Sequence, residues 1–407
     1  MIRARLHTIW DSLRKDVVGG CLLFAASVVA LAWANSSFGG SYEAFRGLTI
    51  GPASLQLELS LQTWAADGLL AFFFFVVGNE LKQEFVDGSL RDPRTATVPI
   101  VSAVMGAVTP AAIFAVVNMG DPDRFVGWGI PMATDVAFAV AVLAIFGKHL
   151  PPALRTFLLT LAVADDLIAV LVIAIFYTTG VAIWWLVCAG ALVGLFWFLQ
   201  TSTFLDDKQV LRWLIYPPLA VAIWVAVHAC GIHATIAGVA MGLCMRIHAR
   251  GSEKTDPSHR IEHLLRPWTM GVMLPVFAFM SAGVRFDSFG QTLSDPIAVG
   301  IMAGLIVGKL VGISGGAWLT TKFTRARLDP SLAWIDIIGL SQLGSIGFTV
   351  SLLISELSYQ DDSLLGHAKS GVLLGSLLGA AAAVVLLTVR NRHYRSLSTD
   401  PAAAVGG

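Results

Sequence analysis

The sequence predicts an all-α integral membrane protein with about twelve transmembrane helices, and three observations support that prediction. Of its 407 residues, 56% are hydrophobic and only 13% are charged, whereas an average soluble domain has about 25% charged residues. The apolar residues form about twelve segments near the length of about 20 residues that a helix needs to cross a bilayer. Lys and Arg collect on alternate connections between those segments, as they do on the cytoplasmic side of membranes.

The alternation of charge predicts that both chain ends are cytoplasmic. Residues 1–16 are a basic segment, residues 17–392 the membrane domain, and residues 393–407 a disordered tail of small and polar residues. The first apolar run is long enough to span and no cleavage signal follows it, so we interpret it as an uncleaved helix. The predicted spans begin near Val17, Gly68, Thr97, Phe125, Leu154, Val181, Trp213, Gly231, His263, Ala298, Leu332 and Leu364.

A segment between the first two predicted spans has the pattern of a small β-hairpin. From Leu55 to Leu61, apolar and polar residues alternate after the turn signal Gly51-Pro52, as they do in a half-buried strand. The charge rule places this hairpin, residues 45–62, on the external side. Two interpretations stay open: a cap over helix ends, or a contact between the subunits of a homodimer.

Composition also limits the partners and cofactors. The 27 basic and 27 acidic residues balance, which argues against nucleic acid as a partner and leaves the lipid membrane. We expect no cofactor. Four cysteines lie in apolar segments without the spacing of metal ligands, so neither a disulfide framework nor a structural metal site is indicated. They are Cys21, Cys188, Cys230 and Cys244.

Two predicted spans are interrupted at corresponding positions. The fourth has Gly and Pro residues just before Thr134-Asp135, and the eleventh has a Gly-rich tetrapeptide. Spans three to five and ten to twelve begin on opposite sides of the membrane, which predicts an inverted-topology repeat with two discontinuous helices, 4 and 11. Such paired interruptions indicate the binding site of a transporter. The interrupting residues are Gly127, Gly129 and Pro131 in the fourth span, and Gly344, Ser345, Ile346 and Gly347 in the eleventh.

Carboxylates inside predicted spans indicate a functional site. A charged Asp at mid-membrane costs about 2.5 to 3.5 kcal/mol on insertion scales, and Asp135, Asp165 and Asp166 all have such positions. Neighbours on a helix point about 100° apart, so Asp165 and Asp166 need different partners. Lys309, in the tenth span, is the natural counter-ion for one of them. Such a pair can gain or lose a proton as its surroundings change; the alternative is a helix-fixing salt bridge.

The other aspartate, with Thr134 and Asp135, offers hard oxygen ligands beside irregular backbone. These ligands suit a small cation such as sodium or lithium. At exposed helix ends, Asp135 would neutralise the partial charge of N-termini, and Lys309 that of C-termini. We interpret Lys82 as part of a solvated helix face. His233 fits a hydrogen-bonded packing residue, with a pH-sensing role as the alternative.

Seven motifs in order resemble the NhaA-type sodium/proton antiporters over roughly residues 67–390. The resemblance implies that Asp165 and Asp166 form the sodium and proton site, with Asp166 the principal ligand and Lys309 the partner of Asp165. It also places Thr134-Asp135 at crossed helix breaks. NhaA is itself a known case of inverted repeats, so the internal symmetry is not independent support. The motifs are ATDVAFA, LAVADDLIAVLVIAIFY, GIHATIAG, RIEHLLRPW, LPVFAFMSAGV, GLIVGKLVGIS and SIGFTVSLLI.

The resemblance implies that the protein is a transporter of the bacterial inner membrane and not an enzyme. It implies that this transporter exchanges cytoplasmic Na+ or Li+ for external H+. If Na+ competes with protons at Asp166 and the Asp165–Lys309 pair also releases one, the exchange moves net charge and is activated at alkaline pH. Residues implied in a cytoplasmic funnel and the pH response are Glu80, Glu84, Glu262 and His263.

This sequence departs from the family pattern outside the aspartate core. Asn79 stands where an apolar residue is usual, Gln83 where Arg is usual, and Arg266 where the best-known pattern has His. Ser345 replaces a usual Gly. We therefore expect the pH set point to differ more than the transport itself.

Three other classes fit the sequence less well. A membrane prenyltransferase would need further carboxylates a turn after Asp165-Asp166, where the sequence has Leu-Ile-Ala-Val. A sodium-coupled solute symporter would need an anion-recognising set near the breaks, and Lys309 is the one deep cation the sequence offers there. A channel needs no titrating carboxylates at a closed site.

Overall fold

The computed structural model describes residues 16–52, 57–91, 93–178, 180–204, 208–250, 253, 255–285 and 294–399. Its regular structure is helical apart from one two-stranded antiparallel sheet. Among these residues, nine helices are long and apolar enough to cross a membrane, or 11 spans if two bent helix pairs each count as one. The predicted helical, multi-pass fold class is therefore confirmed, and the count of about twelve stays a prediction.

The chain folds as two compact units whose segments interleave along the sequence. The first contains Leu22–Arg91 and Val170–Gly283, and the second contains residues 16–21, 93–169 and 284–399 of the described chain. In chain order the elements are α1 Asp16–Ala34, α2 Gly39–Arg46, β1 Thr49–Ile50, β2 Leu59–Ser60, α3 Leu61–Val86, a 3-10 turn Ser89–Arg91, α4 Pro93–Asn118, α5 Pro122–Met132, α6 Val136–Phe146, α7 Pro152–Phe176, α8 Ile183–Thr201, α9 Gln209–Ala229, α10 Thr235–Leu243, α11 Pro257–Ala282, α12 Pro296–Phe323, α13 Trp334–Leu343, α14 Phe348–Ser358 and α15 Asp362–Thr399.

The small sheet lies where the sequence predicts a hairpin, although it is shorter than the predicted range. Thr49 pairs with Ser60 and Ile50 with Leu59, while residues 53–56 lie outside the described chain. The Ser60 hydroxyl accepts a hydrogen bond from the Thr63 backbone N–H at 3.1 Å, so β2 passes directly into α3. The sequence did not predict helix α2, whose last two residues, 45 and 46, overlap the start of the predicted hairpin.

The eighth predicted span, near Gly231, contains a helix much shorter than the roughly 20 residues of a full span. α10 has nine residues, or about 13 Å at 1.5 Å per residue. It packs closely against α3, because a Cβ on Gly238 would lie 2.1 Å from the Ala71 carbonyl oxygen and one on Gly242 would lie 2.4 Å from that of Phe75. Apolar composition predicted the position of this helix but overestimated its length.

In the second unit, a glycine stripe brings α12 against α4. A Cβ on Gly312 would lie 2.3 Å from the Met105 carbonyl oxygen, and one on Gly316 would lie 2.8 Å from Ser102 Cα. Small residues every four positions let two helix backbones approach in this way. The stripe flanks Lys309 and so determines where its side chain begins. Its members are Gly304, Gly308, Gly312 and Gly316.

The core of the second unit joins α7, α12 and α13. Fully buried residues of this core include Leu158, Leu161, Ile313 and Leu340. The last helix, α15, runs beyond the predicted domain limit at residue 392 and ends at Thr399; residues 400–407 lie outside the described chain. The remaining limits of the domain prediction stay untested.

Candidate cation site

Two bent helix pairs of the second unit have their breaks in contact. α5 ends as a 3-10 helix containing Pro131, and α6 begins at Val136 with a bend of 44°. α13 ends at Leu343, α14 begins at Phe348, and this pair bends by 47°. The helix ends fall at the interruptions marked in the sequence, because Gly and Pro there do not sustain a helix. That each pair is one discontinuous span stays a prediction.

One carboxylate caps two helices at these breaks. Asp135 Oδ1 accepts from the Phe138 N–H at 3.0 Å, at the start of α6. Its Oδ2 accepts from the Thr349 N–H at 3.2 Å and the Thr349 hydroxyl at 2.9 Å, at the start of α14. The buried Asp135 therefore accepts hydrogen bonds at the N-termini of two helices, where a negative charge is stabilising. The sequence did not predict Thr349, which donates two hydrogen bonds to this carboxylate.

Further hydrogen bonds join the two breaks. The Thr134 hydroxyl donates to the Gly344 carbonyl at 3.0 Å, and the Asp135 N–H donates to the Ile346 carbonyl at 2.6 Å. Within the second break, the Ser345 hydroxyl donates to the Gln342 carbonyl at 2.5 Å. Thr134 therefore takes up the Gly344 carbonyl at the end of α13, while the Gln342 carbonyl accepts both the Ser345 hydroxyl and the Ser345 N–H, the latter at 3.2 Å.

A second cluster holds the Asp165–Lys309 pair. Lys309 Nζ donates to both Asp165 oxygens, at 2.9 and 3.1 Å. Asp165 is 2% exposed and Lys309 0%, so this is a fully buried ion pair. Asp166, 7% exposed, also interacts electrostatically with the Lys309 ammonium. Both described hydrogen bonds of Lys309 go to Asp165, so the alternative expectation, that Lys309 caps helix C-termini, finds no support.

The structure thus arranges the predicted residues in two clusters: the first contains Thr134, Asp135, Gly344, Ser345 and Gly347, and the second contains Asp165, Asp166 and Lys309. In the part of the chain that the structure describes, no three His, Cys, Asp or Glu side chains form a set that could hold a metal ion. A cation at the second cluster would therefore complete its coordination with hydroxyl, carbonyl or water oxygens, which hard cations accept.

In the first unit, a polar network links the end of α3 to the start of α11. Gln83 Nε2 donates to Glu262 Oε2 at 2.9 Å, and Arg266 Nη1 donates to Glu262 Oε1 at 3.0 Å and to Glu80 Oε1 at 3.3 Å. Two of the predicted pH-response carboxylates are therefore joined through Arg266. Glu84 instead accepts from Ser89, and His263 is exposed.

Three of the four departures from the family pattern, Asn79, Gln83 and Arg266, meet in this network. Gln83 Nε2 also donates to the Ser258 hydroxyl at 2.8 Å, and that hydroxyl donates to Asn79 Oδ1 at 2.7 Å. Ser258 was not predicted, since a lone serine carries no signal. Lys82 donates to the Leu243 carbonyl at 2.8 Å and is half-buried. Lys82 is therefore only partly solvated, and its ammonium satisfies the Leu243 carbonyl at the C-terminal end of the short helix α10.

His233 lies beside an aspartate that the sequence analysis did not single out. His233 Nδ1 is 3.6 Å from Asp67 Oδ1, and His228 Nδ1 is 3.9 Å from Asp67 Oδ2. Trp224 donates to the Asp67 carbonyl at 2.9 Å and stacks on His228. Asp67 precedes the predicted start of the second span at Gly68, so its burial was missed; an acidic residue next to an apolar run was the available signal.

The fold and site define a class of protein: a multi-pass helical membrane protein with ionisable residues buried beside helix breaks, which is the architecture of secondary transporters. The family model described as "Na+/H+ antiporter 1" matches residues 11–387. The chain belongs to this family.

Several curated relatives are also named as Na+/H+ antiporters. A "Na(+)/H(+) antiporter NhaA" of Thermobifida fusca is 57% identical over 401 residues, covering 97% of this chain and 97% of the relative. A "Na(+)/H(+) antiporter NhaA 1/4" of Streptomyces coelicolor is 52% identical, covering 90% and 91%. An Arthrobacter relative named "Na(+)/H(+) antiporter NhaA" is 50% identical, covering 95% and 86%. These are names of transporters, which confirms the prediction that the chain is not an enzyme.

Proposed function

We propose that this chain exchanges Na+ for H+ across a membrane. The observation that carries the proposal is the fully buried Asp165–Lys309 pair next to Asp166, in a chain of the Na+/H+ antiporter 1 family. An ionisable group in a membrane segment is costly and predicts an ion pathway. Three such groups on α7 and α12 supply the site where a cation and protons can compete.

The exchange uses the two aspartates differently. Asp166 binds either a proton or Na+, because one carboxylate cannot hold both at once. Asp165 and Lys309 share a salt bridge that loses a proton when Na+ arrives and regains it when Na+ leaves. Thr134 and Asp135 hold the breaks together, so that the polar backbone beside the site keeps its arrangement while the occupant changes.

Two protons per cation make the exchange electrogenic. Each net charge that crosses is worth about 2.3 kcal/mol per 100 mV, so the membrane potential drives extrusion of cytoplasmic Na+. Li+, another small hard cation, is a second substrate.

Acid keeps the site protonated and silent, and alkali frees it for Na+. The network of Glu80, Glu262, Gln83 and Arg266 sets the pH midpoint, with Glu84 and His263 contributing at the funnel mouth.

The proposed topology follows from the same family. α5 with α6, and α13 with α14, are the discontinuous fourth and eleventh spans of an inverted repeat, with α10 as the short eighth span. Both chain ends face the cytoplasm of a bacterial cell with the protein in its inner membrane. The hairpin β1–β2 faces outward and contributes to a homodimer.

The test is Na+-dependent proton flux in proteoliposomes containing the full chain. Native protein should exchange Na+ or Li+ for protons, faster at alkaline pH, and an imposed potential should change the rate. Asp166→Asn keeps the shape of the side chain but cannot cycle a proton, so it should abolish exchange. Asp361→Asn is the control, because Asn replaces Asp well as a helix cap and Asp361 caps α15. Near-native flux in Asp166→Asn at alkaline pH would refute the site assignment, and a rate indifferent to potential would refute the two-proton scheme.

A further inference from the structure

Two ion pairs outside the cation site join α15 to the far ends of the bent pair α13–α14. Lys369 Nζ lies 2.8 Å from Glu356 Oε1, near the end of α14. Arg390 Nε lies 2.7 Å from Asp336 Oδ1, in the first turn of α13. Lys369 is 2% exposed and the Asp336 side chain 0%. Each pair therefore has one fully buried member, while Glu356 is 11% and Arg390 14% exposed, and neither pair has a part in the exchange proposed above.

Between these pairs, α15 also contacts the break itself. The Ser376 hydroxyl accepts a hydrogen bond from the Gly347 N–H at 3.2 Å. A Cβ on Gly379 would collide with the Ser345 side chain, so only glycine lets α15 pass the break this closely. α15 thus holds the bent pair at both ends and at its break.

The contacting residues lie on one face of α15. Lys369, Ser376 and Arg390 are separated by multiples of seven residues, and Ala383, in the same series, is fully buried. Positions seven apart drift only about 20° around a helix, so a single stripe makes all the contacts. Over the residues from Lys369 to Arg390 that stripe extends about 30 Å, enough to follow both halves of the bent pair.

The buried pairs need an explanation other than stability, because burying an ion pair is often no more stabilising than packing apolar groups. We propose that α15 positions the α13–α14 break, and that Glu356 and Lys369 are positioning residues for the cation site. Glu356 lies seven residues, about two helical turns, after Thr349 on the rigid helix α14. Holding Glu356 therefore holds Thr349 against Asp135 and fixes the start of α14.

The effect on the cation rests on the proposed function, but the positioning itself does not. Two readouts separate them. Hydrogen exchange of the first-turn amides of α14 reports the positioning without any transport, and the apparent KM for Na+ in proteoliposomes reports its consequence. The variants are Glu356→Gln, Lys369→Met and the two combined, in the full chain.

The control is Glu253→Gln in the first unit. Glu253 pairs with Arg246 at 2.9 Å and is 13% exposed, against 11% for Glu356. Burial raises the pKa of Glu253, but hydrogen bonds from Arg246 and Arg250 outweigh that and hold the pKa below its usual range. Glu253 is therefore ionised at assay pH, and its replacement breaks an ion pair of similar burial that involves no residue of α14.

Each single variant should speed hydrogen exchange at the amides of α14 and raise the KM for Na+ about tenfold. That effect is well within the roughly hundredfold loss that a misplacement of about 1 Å can cause. Glu253→Gln should do neither. The combined variant leaves no uncompensated buried charge, so it should fold even if a single variant does not, and it should still show both effects. If the α14 amides of the combined variant exchange hydrogen as slowly as those of the native protein, the proposal is overturned, whatever the transport rate. Faster hydrogen exchange at the α14 amides together with a native KM for Na+ would show that the break does not position the cation site. Loss of flux in native protein would instead count against the proposed function.

Discussion

At the scale of single residues, the Asp165–Lys309 pair gives the sharpest prediction. Asp165→Asn leaves the fully buried Lys309 ammonium without its charged partner, and removing one member of a buried pair typically costs about 3–5 kcal/mol. Lys309→Ala likewise strands Asp165. The double variant Asp165→Asn, Lys309→Ala should therefore lose less free energy of unfolding than the two single losses added. Unfolding of the purified protein in detergent micelles measures the three differences.

A pair of substitutions in different units provides the reference for that cycle. Asp165→Asn combined with Glu253→Gln should be additive within about 0.5 kcal/mol, since residues without shared partners rarely couple. The same additivity in the Asp165–Lys309 cycle would contradict the 2.9 Å contact.

The charged residues of the site could be predicted from the sequence, whereas the uncharged polar residues could not. Asp165, Asp166 and Lys309 are conspicuous because a charge in an apolar span is costly. The residues alone do not show which aspartate meets Lys309, since that depends on the rotation of α7; the family resemblance chose Asp165. Thr349 and Ser258 could not be found, because hydroxyl side chains hydrogen-bond their own helix and are tolerated throughout membrane spans.

At the scale of helices, the glycine stripe of α12 makes a prediction with a built-in control. Gly312→Ala places a methyl group 2.3 Å from the Met105 carbonyl oxygen, so α12 must move away from α4, at a cost of about 1–3 kcal/mol. Gly315 lies three residues after Gly312 on the same helix, and a Cβ there would meet no atom of the described residues within 4 Å. Gly315→Ala should therefore be neutral or stabilise by up to about 1 kcal/mol.

Both variants can be compared by thermal unfolding and by the KM for Na+. We expect Gly312→Ala to lower the unfolding temperature and to weaken Na+ binding, because the displaced stripe flanks Lys309. Equal behaviour of the two variants would mean that close backbone contact between α4 and α12 does not position Lys309.

Helix positions followed from the sequence more reliably than helix lengths. The ends at Leu343 and Phe348 coincide with a Gly-rich interruption, which is a local signal. The length of α10 depends on its packing against α3, and the extension of α15 to Thr399 depends on contacts such as Tyr394 with Asp336. Packing of this kind overrides local propensity and leaves little trace in composition.

At the scale of the whole molecule, the sequence predicts the class but not the two units. Hydropathy and charge gave a membrane domain over residues 17–392 in one piece. The structure groups Leu22–Arg91 with Val170–Gly283, across a long stretch that belongs to the other unit. Contacts between segments so far apart in sequence have no local pattern, whereas the apolar content that determines the class is a property of every segment.

The central claim, that Na+ and protons compete at the Asp165–Asp166–Lys309 cluster, is tested most directly by proton release on Na+ binding. Calorimetric titration of the purified chain with Na+ at several pH values from neutral to alkaline, repeated in buffers of different ionisation enthalpy, gives the number of protons released per cation at each pH. The native chain should release up to two, Lys309→Ala one fewer, and Asp166→Asn should not bind Na+. Binding of Na+ without any release of protons would contradict the account.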